Sequence, residues 1–320
     1  MADTIGTWWM WAGFFLFVGS MITVDLLLLG GKKAHRVTFR EAAGWSVVWV
    51  AFALLFNGLL WWYLSGTVGP ELAKEKSLEF LAGYVIEKSL AVDNIFIWLV
   101  IFGHFAVPAE YQRRVLLYGV LGAVVMRTVM VFGGAWLINE FHWVLYFFGL
   151  LLLATGIKML VFAEKKPDLE RNPVLQWMRK HMRVTQSFHA EHFFIVQQGM
   201  RYATPLFLVL VLVEVTDLVF AVDSIPAIFA VTSDPFIVLT SNVFAILGLR
   251  AMYFLLKDVA DRFHLLKYGL ALVLVFVGTK MLIVDFYKIP VLASLAAVGS
   301  IIALSVVASL IWTKPKTLSS

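Results

Sequence analysis

Cysteine is absent from the 320-residue chain. Disulfides, thiol redox chemistry, cysteine nucleophiles and iron–sulfur ligation are therefore excluded. Charge is scarce as well. Asp, Glu, Lys and Arg make up 15% of residues, against roughly a quarter in a soluble domain. What is abundant is apolar: 61% of the residues are hydrophobic and the mean hydropathy is +0.86. That composition excludes an ordinary cytosolic protein, and it excludes disorder, which needs low hydrophobicity and high net charge. Length alone would suit about two soluble domains, but long apolar runs indicate one membrane bundle. The net charge of +5 sits in short loops between those runs, so it reads as topology, and no nucleic-acid partner is expected.

A helix needs about 20 mostly apolar residues to cross ~30 Å of hydrocarbon. Nine segments qualify: 7–29, 42–65, 79–103, 115–137, 142–163, 204–229, 235–256, 265–285 and 289–312. The first has no basic leader and opens with Trp8, Trp9 and Trp11, so it reads as a retained span rather than a signal peptide. With the N-terminus outside, inner segments hold nearly all the loop cations, among them Lys32, Lys33, Arg36, Arg113, Arg114 and Arg179. The outer loops hold only Lys74, Lys76 and Lys288, as the positive-inside rule requires. The expected architecture is an all-α polytopic bundle of nine transmembrane helices, with the C-terminus cytoplasmic. It forms a single membrane domain over 1–320, divided as two spans in 1–78, a first repeat in 79–163, a cytoplasmic loop in 164–203, a second repeat in 204–285 and a last span with its tail in 286–320.

In the loop, Val174, Leu175, Trp177 and Met178 beside Arg179, Lys180 and Arg183 predict an interfacial amphipathic helix. A hairpin with Gly199 at a positive-φ turn position follows. His181, His189 and His192 lack a full ligand set and read as solvated side chains.

The two proposed repeats share landmarks in the same order. Glu87-Lys-Ser-Leu-Ala-Val-Asp93-Asn94 matches Asp217-Leu-Val-Phe-Ala-Val-Asp223-Ser224. Leu121-Gly122 with Arg127 matches Leu247-Gly248 with Arg250, and Gly156-Ile-Lys158-Met-Leu matches Gly278-Thr-Lys280-Met-Leu. Each unit has three spans, so the second copy must run the opposite way through the bilayer. Inverted repeats of this kind typify secondary transporters, whose substrate sits near mid-membrane at the repeat interface.

Glu87, Asp93, Glu214, Asp217 and Asp223 all fall inside predicted spans. A carboxylate at the bilayer centre costs ~2.5–3.5 kcal/mol even on the gentle insertion scale. These acids must face the interior and be paired, protonated or metal-bound. Residues seven apart nearly eclipse on a helix, so Glu87 shares a face with Asn94, and Asp217 with Ser224. Pro226 is expected to break its helix beside Asp223 and free backbone carbonyls. The result is an all-oxygen cage suited to a hard divalent ion, with Glu87, Asp93, Asn94, Asp217, Asp223 and Ser224 as ligands. Glu214, Asn242 and Asp25 are candidates for proton coupling or support. Alternatively, the acids pair with structural counter-ions drawn from Lys88, Arg127, Lys158, Arg250 and Lys280.

The two acid motifs, with Pro226-Ala-Ile-Phe, Leu247-Gly-Leu-Arg250-Ala-Met-Tyr and Lys280-Met-Leu, resemble the TerC family of integral membrane proteins over 45–287. That resemblance implies a multi-pass bacterial inner-membrane protein whose relatives are associated with manganese export, alkaline-pH response and tellurium resistance, and have also been described as membrane-bound redox modulators. The expected function is export of manganese(II) by alternating access, with no resident cofactor and no enzymatic activity. A redox modulator is the first alternative, although without cysteine only His142 stands near a span edge as a haem ligand. An intramembrane enzyme using the Asp93/Asp223 pair is the second, and a scaffold insensitive to neutralising the acids is the third. The lipid bilayer and the ion are the expected partners; nothing in the sequence sets an oligomeric state.

Overall fold

The computed structural model describes residues 4–29, 38–141, 143–162, 172–257 and 265–312, with side chains of 25–29 excepted. Every predicted apolar segment is helical. Their order is α1 (Trp8–Leu29), α2 (Phe39–Thr67), α3 (Pro70–His104), α4 (Ala109–Glu140), α5 (Val144–Phe162), α7 (Pro205–Phe229), α8 (Pro235–Leu247), α9 (Leu249–Lys257), α10 (Leu266–Leu282) and α11 (Val291–Trp312). The short α6 (Pro173–His181) and the hairpin β1 (Phe194–Gln197), β2 (Met200–Ala203) lie between α5 and α7. Among the described residues, six helices are long and apolar enough to cross a bilayer, with α8 and α9 taken as one: α2, α4, α5, α7, α8–α9 and α11. Length limits α10 and charge limits α3. The latter carries Glu79, Glu87, Lys88 and Asp93, of which Glu79 and Glu87 are buried and Lys88 and Asp93 half-buried.

Helix ends follow local chemistry. The 35 residues of α3 span about 52 Å at 1.5 Å per residue. It starts earlier than its apolar run because Pro70 sits at the first helical position, where a missing N–H costs nothing. Asp234 caps α8 by accepting from the Phe236 amide at 2.9 Å. The same carboxylate receives Thr4 Oγ1 and the Ile5 amide, each at 2.8 Å, and so anchors the chain ahead of α1. Trp11 packs edge-on to Phe236, with centroids 4.9 Å apart, and Phe14 lies 6.0 Å from Phe244.

One local expectation changes. Pro226 does not break its helix: α7 runs through it to Phe229. The proline lies in the last turn, where it removes one hydrogen bond from a closely packed, buried segment. The interruption falls instead at Gly248, between α8 and α9. This pair forms the centre of the bundle, since 89% of its apolar window is buried, against 11% for α11. The expected amphipathic helix in the loop is present as α6. It folds with Asn172 as its cap and buries Leu175 and Met178 against the protein, while Trp177 points outward. The hairpin turn Gln198–Gly199 has φ of 51° and 75°, the type I′ signature.

Contacts fix the relative direction of the helices. Asn94 meets Asp217 and Glu87 meets Ser224, so α3 and α7 are antiparallel. Glu87 meets Asn242, and Lys88 meets Ala245, so α3 and α8 run in the same direction. A Cβ on Gly149 would stand 3.1 Å from the Gly278 carbonyl, and one on Gly156 would stand 2.8 Å from the Ala271 carbonyl. Thus α5 and α10 cross antiparallel with their backbones touching, a close approach that small residues permit in membranes.

Candidate intramembrane polar site

Four helices deliver polar side chains to one buried point. Arg127 of α4 is 0% exposed, so its charge must be met entirely by protein groups. Its Nε and Nη2 donate to the two oxygens of Asp217 at 3.4 and 3.1 Å, the forked arrangement that suits a guanidinium and a carboxylate. Nη1 donates to Glu87 of α3, to Ser224 Oγ at 3.1 Å and to Asn242 Oδ1 at 3.2 Å. Asn242 of α8 returns a bond from Nδ2 to Glu87 Oε2 at 3.3 Å. Asn94 Nδ2 donates to Asp217 Oδ1 at 3.1 Å.

One acceptor is left over. Asn94 Oδ1 is buried and has no hydrogen-bond partner, because the amide nitrogen must face the carboxylate and the oxygen therefore faces away. Around Arg127 the donor set for a cation is two carboxylates, a hydroxyl and two amide oxygens. That chemistry fits a hard divalent ion better than a soft one. Among the described residues, no group of three or more His, Cys, Asp or Glu side chains stands arranged around a metal position. The cation at the centre here is the guanidinium.

The predicted ligands separate into two groups. Glu87, Asn94, Asp217 and Ser224 meet at Arg127. Asp93 and Asp223 lie outside that cluster with other neighbours. Asp223 accepts from Thr155 Oγ1 at 3.2 Å and lies within electrostatic reach of Lys158, while Asp93 faces Lys267. Asn242 joins the cluster. Glu214, one turn before Asp217, does not; it is half-buried and rests against Gly122, in the space a side chain there would fill. Asp25 has a side chain outside the described residues, and His142 lies outside them altogether.

The predicted counter-ions behave differently from one another. Arg127 neutralises the acids, while Arg250, the arginine that follows the Leu-Gly pair of the other repeat, lines a small crevice with Trp49, Val120 and Leu247. Lys88 donates to the Ala245 carbonyl at 3.2 Å. That carbonyl lies at the α8–α9 interruption, where the regular helical partner is missing. Lys158 is exposed, and Lys280 is buried within electrostatic reach of Glu79. Glu79 escaped the sequence reading because it sits near an apolar boundary beside Lys76. It is buried, and it accepts from Lys76 Nζ at 2.8 Å and Thr232 Oγ1 at 2.6 Å.

Comparison with known proteins places these residues in context. The model of the integral membrane protein TerC family matches residues 72–317, a stretch containing every member of the cluster. A Salmonella typhi protein named "Putative membrane-bound redox modulator Alx" is 57% identical over 305 residues, covering 95% of each chain. Its namesake in Escherichia coli (strain K12) is 58% identical over 303 residues, covering 95% of this chain and 94% of that one. A Myxococcus xanthus protein, "Uncharacterized membrane protein STKORF319", is 48% identical over 311 residues, or 97% of this chain and 95% of that one. No solved structure matches the chain.

Proposed function

The chain belongs to the TerC family of integral membrane proteins and is a multi-pass inner-membrane protein; on that premise we propose that it is a secondary transporter exporting a hard divalent cation, manganese(II) foremost. The observation that carries the proposal is Arg127, a fully buried cation held jointly by Glu87 and Asp217 from two different helices. A pocket shaped to hold a positive charge between two carboxylates, with an unpaired amide oxygen beside it, is a cation site that supplies its own occupant. Cargo replaces the guanidinium at Glu87 and Asp217, with Asn94 and Ser224 completing the shell. Asp93 and Asp223 flank this centre as approach and release groups. The protein acts by moving an ion and performs no covalent chemistry.

The proposal includes nine crossings arranged as inverted repeats, and the pattern of helix contacts favours the repeats. Exchanging α3 with α7, α4 with α8–α9 and α5 with α10 turns the Asn94–Asp217 contact into Ser224–Glu87, and the Gly149–Gly278 contact into Ala271–Gly156. That is what a two-fold axis in the membrane plane produces. Placing the N-terminus outside and the C-terminus in the cytoplasm rests on the loop cations alone.

The experiment is flux from proteoliposomes loaded with Mn²⁺, Mg²⁺, Ca²⁺ or Zn²⁺ under an imposed pH gradient. Saturable Mn²⁺ flux that disappears in Glu87→Gln supports the reading, and flux equal to empty liposomes refutes it. The names of the relatives favour a second reading, a redox modulator. With no cysteine in the chain, such a role needs a bound chromophore, and an absorption spectrum of the purified protein tests for one.

A further inference from the structure

Glu214 is, with Asp223, one of two membrane-embedded acids of α7 that the cluster around Arg127 does not use, and Asp223 already accepts from Thr155 Oγ1. Such residues are costly in a bilayer and mark function. The Glu214 carboxylate accepts no hydrogen bond from any described side chain, although it lies three residues from Asp217 on the same helix. At that spacing Cβ atoms are about 5–6 Å apart. Room for the carboxylate exists only because α4 has glycine at 122: a Cβ there would overlap Oε1, Cδ and Oε2 of Glu214. The same helix, α4, carries Arg127. The structure thus places an unoccupied carboxylate one turn from the guanidinium's present partner, in a notch cut into the guanidinium's own helix.

Charge explains what the vacancy is for. Loading a divalent cation onto Glu87 and Asp217 strands Arg127 in a dry interior, and an unpaired buried charge is strongly unfavourable. Ionised Glu87, Asp217 and Glu214 with Arg127 carry a net charge of minus two, which one divalent cation cancels. A monovalent cation leaves the group negative, and omitting Glu214 leaves the loaded site positive. Resting on the reading that Glu87 and Asp217 hold the cargo, we infer that Glu214 is the second docking position of Arg127. When the ion binds, the guanidinium moves one helical turn along α7 from Asp217 to Glu214, and it returns when the ion leaves. Glu214 is a positioning residue that acts on the cargo through Arg127. The two-state element is the arginine side chain, and each ligand state selects one of its positions.

Titration of Mn²⁺ into purified full-length protein by calorimetry tests this. Glu214→Gln removes the second position, so Mn²⁺ binds about tenfold more weakly or worse, while the melting temperature without metal stays within about a degree or two because the resting cluster is untouched. Arg127→Gln combined with Glu214→Gln restores the charge match and returns binding to within a few-fold of wild type. Wild-type affinity in Glu214→Gln overturns the inference. So does equal weakness of the single and double variants, which makes Glu214 a direct ligand. Should the double variant fail to purify, Gly122→Ala decides: it fills the notch, and tenfold weaker binding is expected where wild-type affinity refutes the idea. Absence of Mn²⁺ binding in wild type instead defeats the transport reading itself, a different and recognisable failure.

Discussion

Asn94 and Asp217 join α3 to α7 through a 3.1 Å hydrogen bond that leaves the asparagine carbonyl oxygen buried and unpaired. An unsatisfied buried acceptor costs about 1–3 kcal/mol, and the proposed transport function gives this oxygen a use as a ligand to the cargo. Asn94→Leu removes that oxygen and the bond to Asp217. The expected outcome is Mn²⁺ affinity reduced by about tenfold, measured by calorimetry, in a protein that still inserts and purifies. Unchanged affinity removes Asn94 from the cation shell.

Arg127→Leu leaves Glu87 and Asp217 buried without their cation. Breaking a buried pair by deleting one partner costs about 3–5 kcal/mol. The chain should be recovered in sharply lower yield, and its melting temperature in detergent should fall. Arg250→Leu should cost less, since Arg250 lies at a half-exposed crevice. Equal losses from the two substitutions contradict this ranking.

How much of this was legible beforehand follows from what each signal measures. Hydropathy located every apolar helix, because a bilayer demands long apolar runs. Paired acid motifs located Glu87, Asp217, Asn94 and Ser224, because intramembrane charge is rare. Sequence placed Arg127 and Arg250 on equal footing, yet it is Arg127 that bonds Glu87 and Asp217, while Arg250 lies beside Trp49, Val120 and Leu247. The difference comes from the facing helix, where Asn242 of α8 bonds both Arg127 and Glu87. Helical spacing along one chain segment carries no information about such cross-helix neighbours. The break expected at Pro226 lies at Gly248 for a similar reason. Proline's effect is local and was absorbed by packing, while the Gly248 break is stabilised by Lys88 from another helix.

Lys88→Met tests that last point. It removes the donor to the Ala245 carbonyl, leaving a buried acceptor unpaired at a cost of about 1–3 kcal/mol. Gly248→Ala approaches the same place from the other side, with a Cβ 2.5 Å from Lys88 Nζ and 3.2 Å from Trp49. Both variants should lower the melting temperature, and together they should lose less than the sum, since they act on one contact. Strict additivity contradicts a shared origin.

The α5–α10 crossing predicts a purely steric effect. Gly278→Val places side-chain atoms against the Leu153 amide and Gly149 carbonyl, where a Cβ alone stands 2.7 and 2.8 Å away. Overpacking costs about 1–3 kcal/mol. Gly299, with open space around it, is the control: Gly299→Ala should leave the melting temperature nearly unchanged.

Asp93 and Asp223, outside the Arg127 cluster, should separate rate from affinity. Asp93→Asn and Asp223→Asn are expected to slow Mn²⁺ flux in proteoliposomes several-fold while leaving equilibrium Mn²⁺ binding near wild type. Loss of binding in either variant moves that residue into the central shell.

The joint hold of Glu87 and Asp217 on the cargo is tested most directly by Mn²⁺ electron paramagnetic resonance on purified wild type, Glu87→Gln and Asp217→Asn. Binding broadens the signal of the free ion. Saturable broadening in wild type that is lost in both variants is the predicted result; wild-type broadening persisting in either variant contradicts it.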